Sequence, residues 1–156
     1  MKILTILITI AIFMSPYHRT YNIHEKNVTV WMTKSEREYM AQVVEAESNR
    51  IPGDMESRIY VAAVILNRVR SPYFRNSVRG VLDESGQFTT TSGGRCYIRA
   101  TQESRDAIDI AQKRIYEHEI PSNLLYFNCI GYNNGSAYDY IGGNYFMTYG
   151  DWVGRW

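Results

Sequence analysis

Val61-Ala62-Ala63-Val64-Ile65-Leu66-Asn67-Arg68-Val69 (VAAVILNRV) is an apolar run with an amide and a guanidinium set into its end. Asp54 stands where it can cap a helix from Met55 to about Arg70, in which Ile59, Ala62, Ala63, Leu66 and Val69 recur at helical spacing. Ser71-Pro72 ends that helix, since proline lacks an N–H and pushes the residue before it out of the helical region. Upstream, Asn49 to Asp54 (NRIPGD) breaks the chain at Pro52-Gly53. Before the break, Thr33-Lys34-Ser35-Glu36 has the form of a capping box, with a hydroxyl at the N-cap and a carboxylate three residues on. A first helix is therefore predicted from Thr33 to about Ser48.

Downstream, a short helix is predicted over Val78 to Leu82, then a long Gly-, Ser- and Thr-rich loop from Asp83 to Tyr97. A third long helix follows Thr101, with Ala107, Ile108, Ala111 and Ile115 on one face, and stops before Pro121. The pattern then turns to aromatic and β-branched residues. Leu124 to Ile130, Tyr138 to Ile141 and Tyr145 to Thr148 read as strands, with a turn at Asn133-Asn134-Gly135. Helices first and a small antiparallel sheet last give an α+β domain.

The chain of 156 residues suits one domain, and 45% hydrophobic residues suffice for an ordinary core. A net charge of +1 with no Lys/Arg run excludes an electrostatic nucleic-acid binder. Lys2 precedes an apolar run from Ile3 to Met14, closed by Ser15-Pro16. A run of that length is short of the about 20 residues of a membrane span and reads as a secretory segment. The expected organisation is residues 1–16 as a signal peptide or short N-terminal anchor at the membrane, 17–31 as a linker, and 32–156 as the working domain, monomeric and outside the cytoplasm. Cys96 and Cys129 are the only cysteines, and in an exported chain the pair is expected to form one disulfide. With His18, His24 and His118 scattered and no C-x-x-C, neither a metal nor another cofactor is expected.

At about 100° per residue, Met40, Val43 and Val44 define an apolar stripe on the first helix, and Glu47 falls in the middle of it. Glu45 points elsewhere and is expected to be solvated. A carboxyl group aimed at an apolar surface loses hydration, which raises its pKa and suits it to general acid work. Asn67, inside an apolar helix, must find hydrogen-bond partners; it either braces a loop or contacts a substrate. Gln87 and Phe88, at the end of Gly86-Gln87-Phe88, offer an amide for sugar hydroxyls or acetamido groups and a ring for a sugar face.

These segments together resemble the bacterial cell-wall hydrolase family typified by the spore cortex-lytic enzymes. The residues that carry the resemblance are Ala46-Glu47, the VAAVILNRV run, Ser71-Pro72-x-Phe74, Val78-x-x-Val81 and Gly86-Gln87-Phe88. They continue with Leu125-Tyr126-Phe127-Asn128 and Ile141-Gly142-Gly143-x-Tyr145-Phe146. The resemblance implies a lysozyme-like α+β fold and a lytic transglycosylase or muramidase acting on peptidoglycan. It also implies that Glu47 is the catalytic acid and that Gln87 and Phe88 lie at the cleft; with Asn67, from the hydrogen-bonding argument above, they make the expected substrate-binding set. Two departures stand out: Arg50 and Ile51 occupy the place of the family's second acidic residue, and Asn144 stands where many members carry histidine.

A pair of carboxylates for glycoside cleavage would lie about 5 to 9 Å apart, and no acidic residue near the motifs makes a convincing partner for Glu47. One carboxyl group acting first as acid and then as base, on the bond from N-acetylmuramic acid to N-acetylglucosamine, fits better. The alternatives are a peptidoglycan amidase, or a catalytically silent cell-wall or spore-coat binding protein of the same fold.

Overall fold

The computed structural model describes residues 29–48, 51, 53–88, 90–92 and 95–150. The expected export segment and most of the 17–31 linker lie outside the described residues. Four helices, α1 (Lys34–Ser48), α2 (Met55–Arg70), α3 (Val78–Leu82) and α4 (Gln102–Tyr116), are followed by strands β3 (Leu124–Asn128), β4 (Ser136–Ile141) and β5 (Asn144–Thr148). A two-residue hairpin, β1 (Thr91–Ser92) and β2 (Arg95–Cys96), lies within the 83–97 segment that the sequence presents as loop.

The helix boundaries follow from their caps. Thr33 and Glu36 bond reciprocally at the start of α1: the Glu36 carboxylate accepts from the Thr33 amide at 2.9 Å, and Thr33 Oγ1 accepts from the Glu36 amide at 3.2 Å. Asp54 accepts from the Ser57 amide at 3.1 Å at the start of α2. Thr101 and Ser104 form a capping box on α4. Each cap satisfies amides that have no partner within the helix.

α2 is the axis of the domain. Ile59 and all of Val61 to Leu66 are buried, and the helix packs against α1, α3, α4 and the sheet. The sequence pattern identifies one apolar face, but the structure buries every side of the central turns. A helix apolar all round is stable only when neighbours surround it. The sheet is antiparallel in the order β3-β5-β4, with Phe146 and Met147 of the central strand buried. Gly142, in the β4–β5 turn, has φ +58, and a Cβ there would collide with Ser57, so the hairpin docks its turn on the first turn of α2. That contact fixes where β5 begins, and with it Asn144.

Candidate active site

Glu47 stands near the C-terminal end of α1, at the wall of a cleft of about 540 Å³. The stripe that begins with Met40, Val43 and Val44, all fully buried, leaves the core at this point, so Glu47 is half-buried rather than enclosed. Its Oε1 accepts a hydrogen bond from the Thr90 hydroxyl at 2.7 Å. Its backbone carbonyl accepts from Asn144 Nδ2 at 3.2 Å, which ties the end of α1 to the start of β5. Among the described residues no cation forms an ion pair with Glu47, and no other acidic residue lines the cleft.

Gln87 lines the cleft opposite the strand edge, as expected from the sequence. Phe88 does not. It is buried beneath the cleft, 6.3 Å from the Phe127 ring, with the Arg68 guanidinium 5.4 Å above its own ring. An apolar ring at the end of a polar loop anchors that loop in the core, leaving the amide before it at the surface. Asn67 is also withdrawn from the cleft. Its Nδ2 donates to the carbonyls of Pro121 and Leu124 at 3.0 and 3.1 Å, so it braces the chain entering β3.

Arg68, the guanidinium set into the apolar run of α2, also lines the cleft while almost wholly buried. Its Nε donates to the Leu125 carbonyl at 2.7 Å, and Nη1 has no hydrogen-bond partner among the described residues. The guanidinium lies over the rings of Phe74, Phe88 and Tyr126, at 4.9 to 5.5 Å. Burial pushes Arg68 down to about 10, against the pull of Tyr126, Glu84 and Glu47, so it stays charged at neutral pH. A cation inside an apolar helical run was itself the signal, because arginine is rarely buried without partners.

Glu45, expected in solvent, is 7% exposed. Its two oxygens accept from Arg58 Nε and Nη2 at 3.0 and 2.9 Å, and Oε2 also accepts from the Thr101 hydroxyl at 2.7 Å. The Arg58 hydrogen bonds hold its pKa below the ordinary glutamate value, burial opposes them, and Thr101 adds to them. The reason for the error is that α1 has a second buried face, Ala41, Glu45 and Ser48, turned toward α2 and α4.

The remaining wall comes from Tyr126, Phe127, Asn128 and the loop after β3. Asn128 shapes that loop: its Oδ1 accepts from the amides of Ile130 and Gly131, and its Nδ2 donates to Asn133 Oδ1 at 2.7 Å. This local turn brings Cys129, Ile130 and Asn134 to the cleft. Cys129 is exposed there, whereas Cys96 is buried on β2 beside Tyr39 and Arg79; both thiols are free. The expected bridge is not formed, because the two cysteines belong to different grooves of the molecule. Among the described residues no group of three His, Cys, Asp or Glu side chains is placed to hold a metal ion.

The profile of the Cell Wall Hydrolase family matches residues 54–147, more than half of the chain. The chain belongs to that family. Glu47 lies seven residues ahead of the matched segment (54 − 47), so its place in this cell wall hydrolase rests on the geometry just described. The spore cortex-lytic enzyme of Bacillus subtilis (strain 168) is 41% identical over 69 residues, which is 44% of this chain and 22% of that protein. The spore cortex-lytic enzyme of Halalkalibacterium halodurans is 35% identical over 82 residues, 53% of this chain and 24% of that protein. The chain thus spans about a quarter of the length of these curated relatives.

Among solved structures, the catalytic domain of the Bacillus cereus SleB protein superposes with a TM-score of 0.63 at 27% identity. The match covers 85% of this chain and 99% of that one. The catalytic domain of the germination-specific lytic transglycosylase SleB from Bacillus anthracis gives 0.59 at 26% identity, over 75% and 97%. The architecture of this cell wall hydrolase is therefore the lysozyme-like α+β fold.

Proposed function

We propose that this chain cleaves the glycan strands of peptidoglycan by a lytic transglycosylase reaction in which Glu47 acts as both acid and base. The observation that carries the proposal is the state of Glu47: a half-buried carboxyl group at a cleft wall, held by the Thr90 hydroxyl, with no neutralising ion pair and no second carboxylate in the lining among the described residues. The protonated group donates to the glycosidic oxygen between N-acetylmuramic acid and N-acetylglucosamine, and the C1–O bond breaks toward an oxocarbenium-like state. The carboxylate so formed takes the proton of the muramoyl 6-hydroxyl, whose oxygen closes on C1 as a 1,6-anhydro ring. The proton is returned and no water is consumed. The Asn144 bond to the Glu47 carbonyl holds the helix end still during this exchange. The likeness to a domain described as a lytic transglycosylase supports the same reading.

Gln87 and Arg68 line the same cleft as Glu47; in this reading the Gln87 amide binds the sugar's hydroxyl or acetamido groups, and the Arg68 charge stabilises the electron density that gathers on the departing oxygen. Peptidoglycan lies outside the cytoplasm, so the proposal carries with it export of the chain through residues 1–16.

A second reading has one observation in its favour. Among the described residues Glu84 Oε2 is buried without a hydrogen-bond partner, and the carboxylate is close enough to act on Arg68 electrostatically. If Glu84 activated water, the products would carry reducing ends. Incubating the purified protein with murein and reading the new ends by mass spectrometry separates the cases. Anhydromuramic ends support the proposal, and reducing ends move the reaction to hydrolysis. New amine and carboxyl ends identify an amidase, and binding without products overturns the enzyme reading.

A further inference from the structure

Residues 122–150 contain six tyrosines, five asparagines and a single charged residue, Asp139. Three of the tyrosines meet outside the cleft. The Tyr132 and Tyr145 rings lie 5.0 Å apart at 80°, and those of Tyr140 and Tyr145 lie 4.6 Å apart at 46°. Tyr140 is 56% exposed and Tyr132 43%, while Phe146 and Met147, next along β5, are buried in the core. This face of the sheet is therefore an uncovered aromatic surface.

Its position is not arbitrary. Tyr145 on β5 is directly opposite Tyr140 on β4 and Asn128 on β3. Asn128 lines the cleft, as does Ile130, which is 81% exposed and lies two residues before Tyr132. The aromatic surface is thus continuous with the cleft through Asn128 and Ile130.

The chemistry of the surface selects its occupant. A polyanion or an anionic membrane would need lysine or arginine, and this stretch has none. Aromatic faces offer flat apolar area with a polar edge, which matches the C–H face of a pyranose ring with its hydroxyls at the rim. Amides beside them serve as paired donors and acceptors for hydroxyl and acetamido groups.

We propose that Tyr132, Tyr140 and Tyr145 form a saccharide platform that holds the glycan strand several sugars away from the bond being cut. The proposal rests on the reading of the cleft as a glycan-cleaving site. It assigns the enzyme a preference for long strands over short ones.

Two measurements test it. The first uses protein carrying Glu47→Gln, so that binding is read without turnover. Adding Tyr132→Ala and Tyr140→Ala should weaken cosedimentation with insoluble murein by roughly tenfold, about 1.4 kcal/mol for the two rings together. The phenylalanine versions of both substitutions keep the rings and should bind much as the parent does. The second keeps Glu47 and uses peptide-free glycan strands of graded length. The alanine pair should lose kcat/KM through KM on long strands and not on strands short enough to fill only the cleft.

Equal losses at every length would mean that the rings only support the sheet, and unchanged murein binding would overturn the platform outright. So would self-association of the parent protein that the alanine pair abolishes while murein binding persists, since the surface would then join copies of the chain. If protein with Glu47 intact fails to cut murein, the proposed function falls, while cosedimentation still decides the platform.

Discussion

Glu45 and Glu47 stand two residues apart on α1, each with an arginine from α2 in its neighbourhood, and their surroundings differ in kind. Around Glu45 the polar groups are complete: both oxygens are bonded, two donors of Arg58 are used, and Thr101 adds a third hydrogen bond. Around Glu47 they are unfinished among the described residues: one oxygen takes a hydroxyl, and Arg68 Nη1, in the same cleft, has no partner. Buried polar groups without partners cost stability, so a fold keeps them only where something else completes them. The closed cluster joins α1, α2 and α4, and the open one faces the cleft.

The largest expected effect breaks the open side. Glu47→Gln keeps size and hydrogen bonding but removes the transferable proton. Murein turnover should fall by at least about 10²- to 10⁴-fold, with an unchanged melting temperature. If turnover survives, Glu47 is not the acid.

The matching change on the closed side, Glu45→Gln, should do the reverse. It leaves Arg58 charged and buried without its counter-ion, which costs about 3 kcal/mol, read as a lowered denaturation midpoint with near-normal activity per folded molecule. A pH signature accompanies it. Because Arg58 holds the folded-state pKa of Glu45 down, the pair's contribution is fully present above the unfolded carboxylate range. It is lost as pH falls through the lowered value. Melting curves between roughly pH 3 and 7 should therefore converge for the parent and Glu45→Gln at the acid end. Parallel curves would show that the pair contributes nothing.

Arg68→Lys sharpens the contrast between the two arginines. Lysine keeps the charge but cannot hold the Leu125 carbonyl and face the cleft at once. We expect kcat/KM on murein to fall about tenfold, or 1.4 kcal/mol, against a smaller loss of stability. A stability loss alone would place Arg68 with Arg58 as a structural cation. The smallest effect is expected from Thr90→Val, which removes the one hydrogen bond to the Glu47 side chain. A bond of that kind contributes about 1 kcal/mol, so steady-state kinetics should show a change of several-fold in kcat with KM little altered.

The elements were legible in the sequence because their signals are local. Thr33, Asp54 and Thr101 cap the helices from within three residues, and the strands are runs of five or six residues rich in aromatic side chains. Glu47 was legible because helical phase alone carries the apolar stripe to it. Glu45 misled because its burial depends on Arg58 and Thr101, 13 and 56 residues away. Phe88 and Asn67 carry the right chemistry for a sugar, but the packing of Phe127 and the carbonyls of Pro121 and Leu124 take them into the core. The Thr90 and Asn144 contacts with Glu47 join residues 43 and 97 positions apart, a pairing that no window along the chain contains.

The Asn144 bond also bears on when the cleft comes into being. Chains emerge from the ribosome N-terminus first, at about 5 to 20 residues per second. α1 and Glu47 are made first, and the Asn144 brace follows 97 residues later, after the strand edge and the loop that follows β3. A chain that ends before β5 therefore holds Glu47 without the walls of its cleft. Glu47 meets its cleft only once β5 has been made and docked.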